Sequence, residues 1–249
     1  MSNNWDFYPL LVEDEPASIF VNLGIAAEAP IDGFAQLVCL RLFMLSPRDD
    51  GLSSREEFDR LCEVEDGLSV VIEEMEEVVF VGRITADGCR DFFFYTTNAT
   101  AAESRLSQAM VPFGEYEFEL VVHDDEAWAV YFELLYPNPR QKQLMQNNRV
   151  LACLAEEGDN CEVVREVSHW IYFPTAESRA DFLASTTSEG YELVDQRDDV
   201  EGERPYSLIL RHFTAIDYST INNAILWLFD LAQMCQGNYD GWETSVERG

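Results

Sequence analysis

Two tandem α+β domains, each built on an antiparallel sheet, are what this 249-residue sequence predicts. Three features carry that expectation. Apolar runs rich in aromatic and β-branched residues alternate with helix-period segments in the order β-α-β-β-α-β, and that order occurs once in each half. Tyr136-Pro-Asn-Pro139 separates the halves, because two prolines around an asparagine continue neither strand nor helix. Hydrophobic residues make up 47% of the chain and aromatics 12%, a globular composition despite the charge. The βαββαβ order is that of a ferredoxin-like sandwich, so the predicted domains are 1–137 and 138–249.

In the first half, Trp5 to Val12 and Ala17 to Leu23 are expected as a hairpin around the acidic turn Glu13-Asp-Glu-Pro16. Gln36 to Leu45 is nearly continuous in apolar residues and predicts a central strand. Ser54-Arg-Glu-Glu57 has capping-box spacing for a helix that carries Phe58, Leu61 and Cys62 on one side, and Gly67 is expected to kink or break it. Val78 to Ala86 and Asp91 to Thr96 flank Asp87-Gly88, a hairpin turn. Thr100-Ala-Ala-Glu103 predicts a second cap and a helix to about Met110. Tyr116 to His123 and Ala127 to Leu135 are expected as two closing strands.

The second half opens with an extra helix from about Arg140 to Glu157. Val167 to Phe173 then predicts a central strand, with Val167, His169, Ile171 and Phe173 on one face and Ser168, Trp170 and Tyr172 on the other. Thr175 opens a helix to Glu189, ended by Gly190. Tyr191 to Arg197 and Tyr206 to Phe213 follow as strands. Asp217 or Ser219 caps an apolar helix through Cys235, with Ile221, Ile225, Leu228 and Ala232 as its core stripe. Tyr239 to Val246 is the last strand, where Gly241 predicts a bulge or close backbone approach.

The formal net charge is -31, from 47 acidic residues against 16 basic ones, of which Lys142 is the sole lysine. Both halves are acidic, with 28 acids to 7 bases in residues 1–137 and 19 to 9 in the remainder. Such a field opposes nucleic acid and favours a basic protein surface. The six cysteines form no C-x-x-C pair and are expected as reduced, mostly buried thiols of a cytoplasmic protein. The N-terminus lacks signal-peptide features, and no apolar run reaches membrane-spanning length.

Catalysis finds little support, since no G-x-S-x-G or comparable nucleophile string is present. His123, His169 and His212 are far apart in sequence and predict core or loop roles. His123-Asp-Asp-Glu126 and the group Asp198, Asp199, Glu201 and Glu203 have cation-binding chemistry, but a solvated loop explains each better. Trp170, Tyr172 and Trp242 are placed to share one sheet face, as base-stacking aromatics do in RNA-recognition domains, yet the loops around them are acidic.

The string Ser168-His-Trp-Ile-Tyr-Phe, then Gly190-Tyr-Glu-Leu-Val, the long helix, and Tyr239-Asp-Gly-Trp-Glu-Thr244 resembles the regulator of ribonuclease E activity B family over roughly residues 138–249. Residues 1–137 resemble a separate uncharacterised family found fused to it, through Trp5-Asp-Phe-Tyr8, Ser18-Ile-Phe-Val-Asn22 and Phe92-Phe-Phe-Tyr95. The resemblance implies a ferredoxin-like sandwich that binds the non-catalytic scaffold of ribonuclease E and damps RNA cleavage. Members commonly continue into an acidic tail, whereas this sequence stops at Glu247-Arg-Gly249, so the charge for a basic partner is expected from elsewhere, the acidic first domain included.

The expected function is therefore a non-enzymatic, cytoplasmic regulator with no cofactor, no metal and no catalytic residues. Its partner is a protein with a basic segment, ribonuclease E, met through Trp170, Tyr172, Tyr239, Asp240, Trp242 and Glu243. The competing readings are an acidic adaptor without a ribonuclease link and a carboxylate-site metal-dependent hydrolase.

Overall fold

The computed structural model describes residues 4–12, 15–198 and 200–248. The turn residues Glu13 and Asp14, and Asp199 of the long acidic loop, lie outside the described residues. The chain divides into two compact units, residues 1–137 and 138–249. Among the described residues no helix is long and apolar enough to cross a membrane.

The first unit contains β1 (Trp5–Val12), β2 (Glu15–Asn22), β3 (Gln36–Phe43), α1 (Arg55–Glu73), β4 (Val78–Ala86), β5 (Cys89–Thr96), α2 (Ala99–Ala109) and β6 (Phe118–Asp124). The strands form one antiparallel sheet in the order β1-β2-β4-β5-β3-β6. From β3 onward this is βαββαβ, and the hairpin β1–β2 extends the sheet beyond β4. Strand β5 has its aromatics buried on both faces. Phe92 and Phe94 meet the helix side, with Leu61, Val64 and Leu68 of α1 and Leu106 of α2. Tyr95 stacks instead on Trp128, the ring centroids 3.9 Å apart.

Four local expectations are corrected here. Residues 127–135 form no strand, because Trp128 adopts φ +56° and Val130–Leu135 coils into a π-helical segment with Tyr136 N–H bonded to Tyr131 O. The Asp125 carboxylate caps it, accepting from the N–H groups of Ala129 and Val130 at 2.8 and 3.0 Å. Trp128, Tyr131 and Leu135 are fully buried, and their spacing of three and four is helical.

Helix α1 runs unbroken through Gly67, where a Cβ would lie 2.9 Å from the Phe113 ring, so close packing explains the glycine better than a kink. Helix α2 starts before the expected cap: Asn98, not Thr100, accepts the capping bond from Ala101 N–H. At α1, Ser54 caps as expected, but Glu57 turns away to accept the N–H groups of Leu45 and Ser46. Asp87 and Gly88 both take positive φ, the twist a two-residue hairpin turn requires.

The second unit contains α3 (Pro139–Glu156), β7 (Arg165–Phe173), α4 (Ala176–Thr187), β8 (Glu192–Arg197), β9 (Tyr206–Thr214), α5 (Tyr218–Met234) and β10 (Asn238–Thr244). Its antiparallel sheet has the order β10-β7-β9-β8, the ferredoxin-like arrangement, with α3 as the extra element. Asn138 and Gln141 form a capping box, and Pro139 at the first turn lacks only an N–H that has no helical acceptor anyway. The core gathers Val167, Ile171 and Phe173 of β7, Leu208 and Leu210 of β9, Phe182 of α4, and the stripe Ile221, Ile225, Leu228 and Ala232 of α5. Both edge strands are interrupted, β8 between Leu193 and Asp195 and β10 between Tyr239 and Gly241. The cysteines are all unpaired, but four are half-buried and two exposed, less buried than expected. Cys39, for example, lies half-buried on the sheet face opposite Val38 and Leu40.

Candidate protein-interaction surface

The alternation on β7 sends Val167, His169, Ile171 and Phe173 into the core and leaves Ser168, Trp170 and Tyr172 half-buried on the opposite face. Helices α3, α4 and α5 all pack on the core side, so among the described residues no helix of this unit covers that face. Register lines up Gly241, Trp170, Ile209 and Asp195 across the four strands, and beside them Glu243, Ser168, Arg211 and Glu192. A Cβ at Gly241 would meet nothing within 4 Å, so the flank of Trp170 is open.

The polar frame is mostly acidic. Arg211 is held between Glu192 at 3.0 Å and Glu166 at 3.2 Å, and Arg197 is held by Asp195. At the end of the strip, Tyr172, Asn238 and Asp240 meet Glu201, Glu203 and Arg204 of the long loop around a shallow cleft of about 490 Å³. Half-buried aromatic rings framed by carboxylates suit arginine and lysine, which stack on the rings and pair at the rim.

The bulge at Asp240 divides the six expected contact residues. Trp170 and Tyr172 face outward, and Asp240 and Glu243 are exposed. Tyr239 and Trp242 turn inward, 4% and 9% exposed, so Trp242 does not share a face with Trp170 and Tyr172. The extra residue shifts the alternation, placing Trp242 opposite His169 rather than on the open side.

Both inward rings have polar partners. Tyr239 Oη lies 2.8 Å from His169 Nδ1, and His169 Nε2 lies 3.0 Å from His212 Nδ1. Histidines 43 residues apart in sequence thus meet in the core. Burial first, and the neighbouring His212 second, pull His169 down to about 3; burial also lowers His212, against a backbone hydrogen bond at Val167 that raises it. His169 is fully buried and His212 half-buried.

Trp242 Nε1 donates to Asn147 Oδ1 at 3.3 Å, the same oxygen accepts from Gln143 Nε2, and Asn147 Nδ2 donates to Asn222 Oδ1 at 3.1 Å. This network docks α3 onto α5 and β10. Asn147→Ala removes a donor and an acceptor from a site 1% exposed and strands three polar groups. The expected loss is about 2–4 kcal/mol in urea unfolding. A loss below about 1 kcal/mol would mean that water replaces the amide.

The loop carboxylates have structural work. Asp125 binds Tyr95 Oη and caps the segment after it, and Asp124 accepts from Gln36. Among the described residues, no three His, Cys, Asp or Glu side chains converge as metal ligands would.

Residues 3–136 match the family of unknown function DUF695, and residues 144–244 match the family "Regulator of ribonuclease activity B". The chain belongs to the first of these families, whose model covers more than half of it, and carries a second domain that matches the other. A curated relative of the second, the regulator of ribonuclease activity B of Idiomarina loihiensis, is 22% identical over 106 residues, spanning 42% of this chain and 83% of the relative. Two solved structures align at low similarity. One is an unknown protein from Galdieria sulphuraria, 9% identical with a TM-score of 0.24, covering 85% of this chain and 99% of that one. The other is a putative glycine cleavage system transcriptional repressor, 7% identical with a TM-score of 0.22, covering 85% and 98%. At these TM-scores neither bears on fold or function.

Within the regulator-B unit, sequence reasoning missed Ile209, Glu192 and Asp195 of the open face and Asn147 and Asn222 of the interior. Alternation along β9 carries the signal for Ile209. A polar residue beside the apolar stripe of α5 carries it for Asn222.

Proposed function

We propose that the regulator-B unit binds a basic segment of ribonuclease E through the open face of its sheet and thereby lowers RNA cleavage, as a non-enzymatic cytoplasmic regulator. Family membership supports regulation of a ribonuclease. The observation that favours a basic segment is the uncovered strip of Trp170, Tyr172 and Ile209, framed by Glu166, Glu192, Asp195, Asp240 and Glu243. Aromatic planes accept guanidinium groups, and the surrounding field attracts them and repels phosphates.

The paired replacement Trp170→Ala with Tyr172→Ala is expected to weaken binding of the full chain to the ribonuclease E scaffold at least tenfold by calorimetry, with an unchanged circular dichroism spectrum. Raising salt from about 0.05 to 0.5 M should weaken the natural protein as well. Salt-independent binding, or binding untouched by the paired replacement, would overturn the assignment of this face. Equal affinity for unrelated basic proteins would favour a general acidic adaptor.

A further inference from the structure

The first unit carries a cavity unlike the rest of this acidic chain. It has a volume of about 390 Å³, within the range of small-molecule sites, and lies between the β1–β2 end of the sheet and the start of α1. Three of the seven arginines of residues 1–137, Arg48, Arg83 and Arg90, line it together with the hydroxyls of Ser18, Ser53 and Thr85.

Arg90 is the deepest of these groups, at 1% exposure. Its Nε donates to Thr85 Oγ1 at 3.2 Å, while its Nη1 has no hydrogen-bond partner, the Glu65 carboxylate lying 3.9 Å away. Glu65 is already engaged by Arg83, 2.6 Å from its Nε, and Glu57 is committed to the N–H groups of Leu45 and Ser46. Two guanidiniums therefore share one ion-paired carboxylate. A buried guanidinium with an unused N–H is costly unless something anionic completes it. Burial first and Arg83 second draw Arg90 down to about 10, as an undercompensated charge should be.

The rest of the wall is apolar. Phe20 lies beneath the Arg83 guanidinium, 5.0 Å from its ring centroid, and Phe7 and Phe58 stand at the opening, 63% and 47% exposed. Cationic depth and an aromatic rim specify a ligand that enters head first. We propose that the DUF695 unit binds a small amphipathic carboxylate here, its head on Arg90 and the lining hydroxyls and its apolar body against Phe7, Phe20 and Phe58. The one unused N–H of Arg90 matches one oxygen of a monoanionic carboxylate. Arg48 stands nearer solvent, ion-paired to Asp50, and meets the ligand at the mouth.

The test is calorimetric titration of the full chain with four probes: trans-cinnamate, octanoate, neutral cinnamamide and inorganic phosphate. Saturable binding of the two carboxylates is expected, with cinnamamide at least tenfold weaker than cinnamate. Arg90→Met should lose at least tenfold in cinnamate affinity and Arg48→Gln severalfold, with melting temperatures reporting the fold of each. If Arg90→Met does not fold, the comparison of cinnamate with cinnamamide decides. Failure of both carboxylates to saturate, equal affinity for acid and amide, preference for phosphate, or indifference to Arg48→Gln and a folded Arg90→Met would each overturn the proposal.

Discussion

Replacing Arg165 by methionine is expected to cost the C-terminal unit about 3–5 kcal/mol, the largest single effect predicted for this chain. The guanidinium is 2% exposed and ion-paired with Asp159, itself 2% exposed. Its remaining donors reach the carbonyls of Asn160, Val163 and Ser245. Asp159 in turn accepts the N–H of Glu247 at 2.8 Å. One side chain thus ties the loop before β7 to the segment after β10.

Burial would push the Asp159 carboxyl up, but Arg165 and the Glu247 N–H together hold it below the usual range. Methionine fills similar space and leaves that carboxylate stranded. Urea unfolding of the full chain, with hydrogen exchange at β7 and β10 to locate the loss, measures the effect. The double replacement Arg165→Met with Asp159→Leu should recover a large part of it, since no buried charge then lacks a partner. A single-replacement loss under about 1 kcal/mol would mean that the pair is effectively solvated.

Acid is expected to weaken the same unit before it titrates the carboxylates. His169 is neutral in the fold and falls to about 3, against an ordinary value of 6.5. Below pH 6.5 the unfolded chain therefore takes up a proton that the folded chain refuses, and stability falls with pH until about pH 3. The loss is on the order of 3 kcal/mol by about pH 4. The geometry explains the refusal. With Tyr239 Oη donating to Nδ1, the Nε2 proton of His169 points at His212 Nδ1; charging His212 would set two N–H groups facing each other, and charging His169 would turn its Nδ1 into a donor, so the buried Tyr239 hydroxyl would have to stop donating there.

Urea midpoints between about pH 7 and 4 test this, and His169→Gln should flatten the slope. A variant slope equal to the natural one would place the acid sensitivity in other groups. A uniform drop without a change of slope would assign His169 a packing role alone.

The strand and helix order was legible because both periodicities are strong: β7 alternates cleanly, and the stripe of α5 holds four fully buried residues at helical spacing. Residues 127–135 were not, since aromatic and β-branched residues fit a strand until the positive φ of Trp128 and the reach of Asp125 make them coil. The candidate surface was half legible. Trp170 and Tyr172 follow from alternation, while Tyr239 and Trp242 depend on where the bulge falls, and Gly241 permits a bulge without fixing its register. The Arg165–Asp159 pair and the cavity around Arg90 unite residues from different elements, which no local pattern encodes.

The bulges at the two edges of the C-terminal sheet bear on how a partner can attach. A straight edge strand offers a row of free N–H and C=O groups to any extended chain, which invites strand addition and also self-association. Here each outer ladder breaks partway along, between Leu193 and Asp195 on one side and between Tyr239 and Gly241 on the other. Neither edge presents an unbroken template. A visiting segment must therefore be read by side chains across the sheet rather than zipped onto its border, and two copies of the unit have no continuous seam along which to stack into a fibre.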